Sequence, residues 1–101
     1  MNSGTIRQQI MALLTQGPMD VIDLSRALAL PEKEVLEHLP SIVRSVTGRG
    51  GRFIMEPAQC LQCGFRFKER RRLNPPGRCP RCKQSRLQGP AYSIIGNPRI
   101  K

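Results

Sequence analysis

Two pairs of cysteines, Cys60 with Cys63 and Cys79 with Cys82, constrain this chain more than any other feature. They form the pattern C-x2-C, fifteen intervening residues, C-x2-C, and that spacing falls within the range of a four-thiolate zinc site. Two residues between thiolates let one tight turn aim both sulfurs at a single metal, and two such turns complete a tetrahedron. Gly64, after the first pair, can take a positive φ without steric cost, and Pro80 stiffens the second turn from inside. The expected cofactor is one structural Zn2+ per chain, held by Cys60, Cys63, Cys79 and Cys82.

Three rival chemistries are open to these thiols. Disulfides would need an oxidising compartment, but Met1 to Gln9 is polar and does not resemble a secretory leader, so the thiols are expected to stay reduced. A thioredoxin-like pair would need a βαβ setting that neither turn has. Iron is the nearest rival, because Cys63-Gly64-Phe65 and Cys79-Pro80-Arg81-Cys82 resemble the two cysteine turns of rubredoxins. The short spacer, the absence of Trp and the basic surroundings depart from that family.

A chain of 101 residues is one ordinary domain or two lobes of about fifty residues, and lobes of that size benefit from a metal staple. The division expected here is 1–58 and 59–101. Charge changes a little earlier, at Gly48. Up to Gly48 four Lys and Arg stand against five Asp and Glu, whereas from Arg49 onward thirteen stand against two. A zinc ion with four thiolates contributes about −2, which leaves the second half strongly positive. Such a block is a footprint for polyanions, nucleic acid above all. No apolar run is long enough to span a bilayer, so no membrane partner is expected. With four aromatics in all, a stacking platform for single strands would be thin.

Helical spacing marks the first half. Ile6, Ile10, Leu13 and Leu14 predict a helix over residues 5–16, ended by Gly17-Pro18. Asp20 and Asp23 form a capping-box pattern, and Met19 and Leu24 a hydrophobic staple, for a second helix through Ala29. Pro31, Glu32 and Glu34 open a third helix, whose inward stripe is Val35, Leu39, Ile42 and Val46. Pro40 predicts a kink or break in it. A helix-turn-helix follows from the close second and third helices. Thr47-Gly48-Arg49-Gly50-Gly51-Arg52 then reads as a glycine-rich hairpin tip, a wing carrying Arg49 and Arg52, with a strand starting at Phe53.

In the second half, Phe65-Arg66-Phe67-Lys68 alternates apolar and basic residues as a half-buried strand does. Residues 69–77 form a basic loop containing Arg70, Arg71 and Arg72. Residues 86–88 and 91–95 supply the remaining strands, with Phe65, Phe67, Leu87 and Tyr92 as a small core beneath the metal. The fold class expected is α+β, a winged helix-turn-helix followed by a β zinc ribbon.

The order of these parts resembles a family of small prokaryotic proteins described as predicted transcriptional regulators, with a winged helix-turn-helix joined to a zinc ribbon. Its helical part is of the general type found in ArsR-like repressors. The segments that carry the resemblance are residues 20–46, the run Pro57-Ala58-Gln59-Cys60-Leu61-Gln62-Cys63-Gly64-Phe65-Arg66-Phe67-Lys68, and Arg78-Cys79-Pro80-Arg81-Cys82-Lys83. The resemblance implies a cytoplasmic DNA-binding protein that controls transcription.

One departure bears on mechanism. The leading end of the third helix, where a recognition helix meets base edges, is Glu32-Lys33-Glu34 with Glu37 one turn on. Nucleic-acid contact is therefore assigned to Arg49, Arg52, Arg70, Arg71 and Arg72. Two further readings stand beside DNA binding: an RNA-binding protein, and a zinc-stabilised adaptor docking on the transcription machinery. The same pairing of lobes occurs in the large subunit of archaeal transcription factor E. The oligomeric state is left open, a homodimer included. No enzyme is expected. His38 is the sole histidine, a closed four-cysteine site leaves zinc no position for catalytic water, and residues 48–51 lack the Lys-Ser/Thr ending of a phosphate loop.

Overall fold

The computed structural model describes residues 5–96. Helix α1 (Ile6–Gln16) starts at Thr5, whose side chain accepts from the Gln8 N–H while the Gln8 side chain accepts from the Thr5 N–H. That reciprocal cap satisfies two of the free donors of the first turn. A two-residue strand, β1 (Met19–Asp20), leads into α2 (Val21–Leu28), which opens on the expected Asp20–Asp23 capping box. Eight residues are too few for a helix stable alone in water, so α2 depends on its cap and on the burial of Val21 and Leu24. It ends at Ala29 in the left-handed conformation, φ 56°.

Of the kink or break expected at Pro40, the break does not occur: helix α3 (Glu32–Gly48) runs unbroken through it. The reason is packing. Pro40 faces solvent, while Val35 and Leu39 before it and Ile42 and Val46 after it are buried in the same core. One missing backbone hydrogen bond does not outweigh that burial.

The sheet gives the second departure. Strands β2 (Arg52–Glu56) and β5 (Ala91–Ile95) pair antiparallel, and β1 pairs with the other edge of β5, giving the order β1-β5-β2. Residues 91–95, expected in the ribbon, thus form the central strand of the sheet under the helices. Tyr92 sits opposite both Met19 and Met55 and belongs, with Ile94, to the core made by Ile10, Leu14, Val21, Leu24, Val35, Leu39, Ile42 and Val46. Alternation accounts for this. Tyr92 and Ile94 point inward, and their register partners Met55 and Phe53 pack against the same core.

The glycine-rich turn is likewise not a hairpin tip. It joins α3 to β2, and Gly51 is buried at its end. A Cβ on Gly51 would stand 3.1 Å from Val46 Cγ1 and 3.3 Å from the carbonyl oxygens of Val46 and Ile95, so the residue is needed for a close approach of backbones. The connection between β2 and β5 is instead the whole cysteine-bearing segment.

Within that segment, β3 (Gln59–Cys60) and β4 (Leu87–Gln88) form a two-stranded antiparallel ladder. Residues 65–68 make no strand, only a single bridge between Arg66 and Gln59. The Phe65 and Phe67 rings meet edge to face, 5.1 Å apart. The segment is fastened to the helices by Leu73, which packs against the main core and whose carbonyl accepts from the buried Tyr92 hydroxyl.

Candidate metal centre and the basic surface around it

The two cysteine turns are copies of one another, displaced by nineteen residues. In the first, the Cys60 N–H donates to Phe65 O (2.8 Å), the Gly64 N–H to Cys60 O (3.0 Å), and the Gln62 N–H to Cys60 Sγ (3.3 Å). In the second, the Cys79 N–H donates to Gln84 O (2.9 Å), the Lys83 N–H to Cys79 O (2.9 Å), and the Arg81 N–H to Cys79 Sγ (3.3 Å). The residue after each second cysteine is left-handed, Gly64 at φ 82° and Lys83 at φ 66°. Equivalent hydrogen bonds thus aim two sulfur pairs from opposite sides.

All four sulfurs lie within 4.8 Å of one another. Cys60 Sγ is 3.5 Å from Cys82 Sγ, and Cys63 Sγ is 3.7 Å from Cys79 Sγ. A tetrahedral zinc with bonds of about 2.3 Å has sulfur–sulfur edges of about 3.8 Å. The gaps are far too long for disulfides, whose sulfurs stand about 2.05 Å apart, and all four cysteines are free.

Electrostatics point the same way. The backbone N–H of Cys63 draws the Cys60 thiol down to about 6, against the opposing effect of burial. Burial raises Cys79, but hydrogen bonds from the Cys82 and Arg81 N–H groups bring it below its ordinary value. Cys82 is pushed up to about 12, because the Gln84 N–H that lowers it is outweighed by burial and by the sulfurs of Cys60, Cys63 and Cys79. Four sulfurs this close cannot all ionise without a cation between them. A divalent metal reverses that balance. Cys60 and Cys79 are buried, and Cys63 is exposed. The centre fits one structural Zn2+.

The five arginines assigned to nucleic acid do not form one group. Arg49 caps α3 and Arg52 opens β2, both exposed, at the end of β2 away from the cysteine segment. Arg71 and Arg72 are exposed and border, with Leu36 and Pro40 of α3, a depression of about 420 Å3. Arg70 differs from its neighbours. It is half-buried, its Nη2 donates to Asn74 O at 3.0 Å, and its Nε has no partner. Sequence reading missed the other exposed cations of the segment, Arg66, Lys68, Arg78, Arg81, Lys83 and Arg86. Between Pro57 and Pro90 nine Lys and Arg face one acid, Glu69. Among the described residues no helix is long and apolar enough to cross a membrane.

Three helices, antiparallel strands and a four-cysteine ribbon define a small α+β zinc-ribbon protein. The first half of the chain, residues 5–54, matches the family model described as PF0610-like, N-terminal, and residues 57–101 match that of the PF0610 rubredoxin-like zinc β-ribbon domain. The solution NMR structure of protein PF0610 from Pyrococcus furiosus is similar over 95% of each chain, at 30% identity and a TM-score of 0.78. The chain belongs to the PF0610-like family. No curated protein matches it.

Proposed function

We propose that this protein is a cytoplasmic, non-catalytic DNA-binding regulator of transcription. In this reading the helices and the β1-β5-β2 sheet are a winged helix-turn-helix of the general ArsR type, and the zinc ribbon takes the place of the wing. The observation that carries it is the insertion of the nine-cation segment between β2 and β5, the strands that a wing joins. Its exposed arginines would lie on phosphates while the metal holds the loop in shape. Phosphate contacts of this kind position a protein on a duplex without reading sequence. Arg71 and Arg72, beside the middle of α3, are the leading contacts.

A second reading, a zinc-stabilised adaptor for the transcription machinery, draws on the acidic leading end of α3, where Glu32 and Glu37 are exposed. Duplex-DNA affinity measured against salt separates the two. Each phosphate contact contributes about 0.9 to the slope of log affinity against log salt, so Arg71→Gln with Arg72→Gln should flatten it by about 2. Arg70→Gln should leave the slope unchanged and lower the melting temperature, because that guanidinium is spent on Asn74. Absent affinity, or a slope the double variant does not alter, would reject the ribbon as the contact and favour the adaptor.

A further inference from the structure

Strand β2 is an edge. It pairs with β5 on one side, and among the described residues no backbone group hydrogen-bonds to its other side. Its sequence is Arg-Phe-Ile-Met-Glu. Phe53 and Met55 pack on the core, so Arg52, Ile54 and Glu56 project from the opposite face. Arg52 and Glu56 are exposed and form no ion pair with any described residue. Beside Arg52, its register partner Ile95 leaves 54% of its surface open to solvent.

From this arrangement we infer that β2 is a homodimer interface, where a second copy adds its own β2 antiparallel about a two-fold axis through Ile54. Of the antiparallel alignments centred on a residue of β2, only this one brings the two opposite charges together. Antiparallel pairing centred on Ile54 sets Arg52 against Glu56 of the second copy and Glu56 against Arg52. Centring on Arg52 would set Arg52 against itself, and centring on Glu56 would set Glu56 against itself. A parallel pairing in register also opposes like charges. Charges on an edge strand ordinarily discourage pairing, but these two are self-complementary in one alignment. That alignment also sets Phe53 beside Met55 of the second copy, a favourable sulfur–aromatic neighbour, and brings the two Ile54 side chains together. The result is a six-stranded sheet, β1-β5-β2-β2-β5-β1, with the two ribbons at opposite ends of the seam because each β2 runs into its ribbon at Glu56. It is a closed, isologous contact. Arg52 is thereby removed from the nucleic-acid group, and the inference stands whether or not the protein binds DNA.

Sedimentation of the zinc-loaded full chain tests it. The wild type should be dimeric at about 100 µM, with the micromolar dissociation constant of a small interface. Arg52→Glu or Glu56→Arg alone replaces two attractive pairs by two repulsive ones, because the symmetry doubles each change, and should weaken the dimer about tenfold or more. The double variant Arg52→Glu with Glu56→Arg restores opposite charges and should return within about threefold of the wild type. Both positions are exposed, and circular dichroism of each variant verifies the fold. A monomeric wild type at that concentration would overturn the inference. So would a dimer insensitive to the single reversals, or a double variant no better than either single one.

Discussion

The two cysteine turns share one hydrogen-bond pattern but close on different residues, Gly64 and Lys83, and that difference sets up a quantitative test. Gly64 and Lys83 occupy equivalent left-handed positions, φ 82° and 66°. A side chain in that region costs about 1–2 kcal/mol. A Cβ placed on Gly64 would meet nothing within 4 Å, so Gly64→Ala carries only the backbone cost, less the chain freedom of about 0.5 kcal/mol or more that glycine loses on folding and alanine does not. Binding the metal and folding the ribbon are one equilibrium, and about 1.4 kcal/mol is a factor of ten. The net cost is about 0.5–1.5 kcal/mol, so zinc affinity should fall about 2- to 10-fold. The second turn should respond in the opposite direction. Lys83→Gly removes the strain but restores about 0.5–1 kcal/mol of chain freedom to the unfolded state, which leaves a gain of about 1 kcal/mol or less. Because Lys83→Gly also deletes a positive charge near the thiolates, the proper reference is Lys83→Ala, which deletes the same charge and keeps the strain. Competition with a chromophoric chelator at fixed pH measures all four proteins, and the visible spectrum of the cobalt-substituted forms verifies the tetrahedral thiolate site. Wild-type affinity in Gly64→Ala, or weaker binding by Lys83→Gly than by Lys83→Ala, would refute the backbone argument.

Chelating the metal, or replacing any one cysteine with Ser, should lower the melting temperature of the helices as well as the ribbon, because the metal shapes the segment that delivers β5; helices melting at an unchanged temperature would contradict this. The single tyrosine should ionise late. Burial first, then the charge of Asp20, pushes Tyr92 up to about 12, with Arg70 opposing. A raised folded value stabilises below the ordinary tyrosine value of about 10, and that contribution disappears as pH rises through about 12. Tyrosinate absorbance of the native protein should thus appear near pH 12, and a transition near the ordinary value would count against the buried placement. Ala29→Gly should raise stability by about 1 kcal/mol, since Ala29 closes α2 in the left-handed region; chemical denaturation measures it, and no gain would place the strain elsewhere.

The metal ligands were legible because cysteine spacing is a local signal, and so were the helices, whose stripes of Ile10, Leu14, Val35, Leu39 and Ile42 repeat every three or four residues. What was not legible was the partner of each strand. Ala-Tyr-Ser-Ile-Ile alternates correctly for a strand but carries no mark of which sheet it joins. Its closeness in sequence to Cys82 suggested the ribbon, while its inward Tyr92 and Ile94 complete a core begun at Ile10. Glycines 48, 50 and 51 misled for a related reason. A hairpin tip and a close helix-to-strand turn both call for glycine, and only the contact of Gly51 with Val46 and Ile95 distinguishes them. Among the arginines, Arg70 looks like Arg71 and Arg72 in sequence, and its tie to Asn74 appears only once the loop is folded. The cap at Thr5 could have been found, since a Thr followed three residues later by Gln is a recognised start signal.

The place of β5 in the sheet also sets an order of events during synthesis. Met19 on β1 and Met55 on β2 flank Tyr92, so both edges of the sheet leave the ribosome well before the strand that joins them. At about 5–20 residues per second, translation of residues 57–90 takes about 2–7 seconds, while helices form in about a microsecond. For that interval α1, α2 and α3 can associate, but Ile10, Leu14 and Val46 lack the strand that seals them. Both pairs of metal ligands precede residue 91 along the chain, so they leave the ribosome ahead of β5. A nascent chain that captures its ion in this window would draw residues 57 and 90 together, and β5 would then emerge beside the strand it has to join.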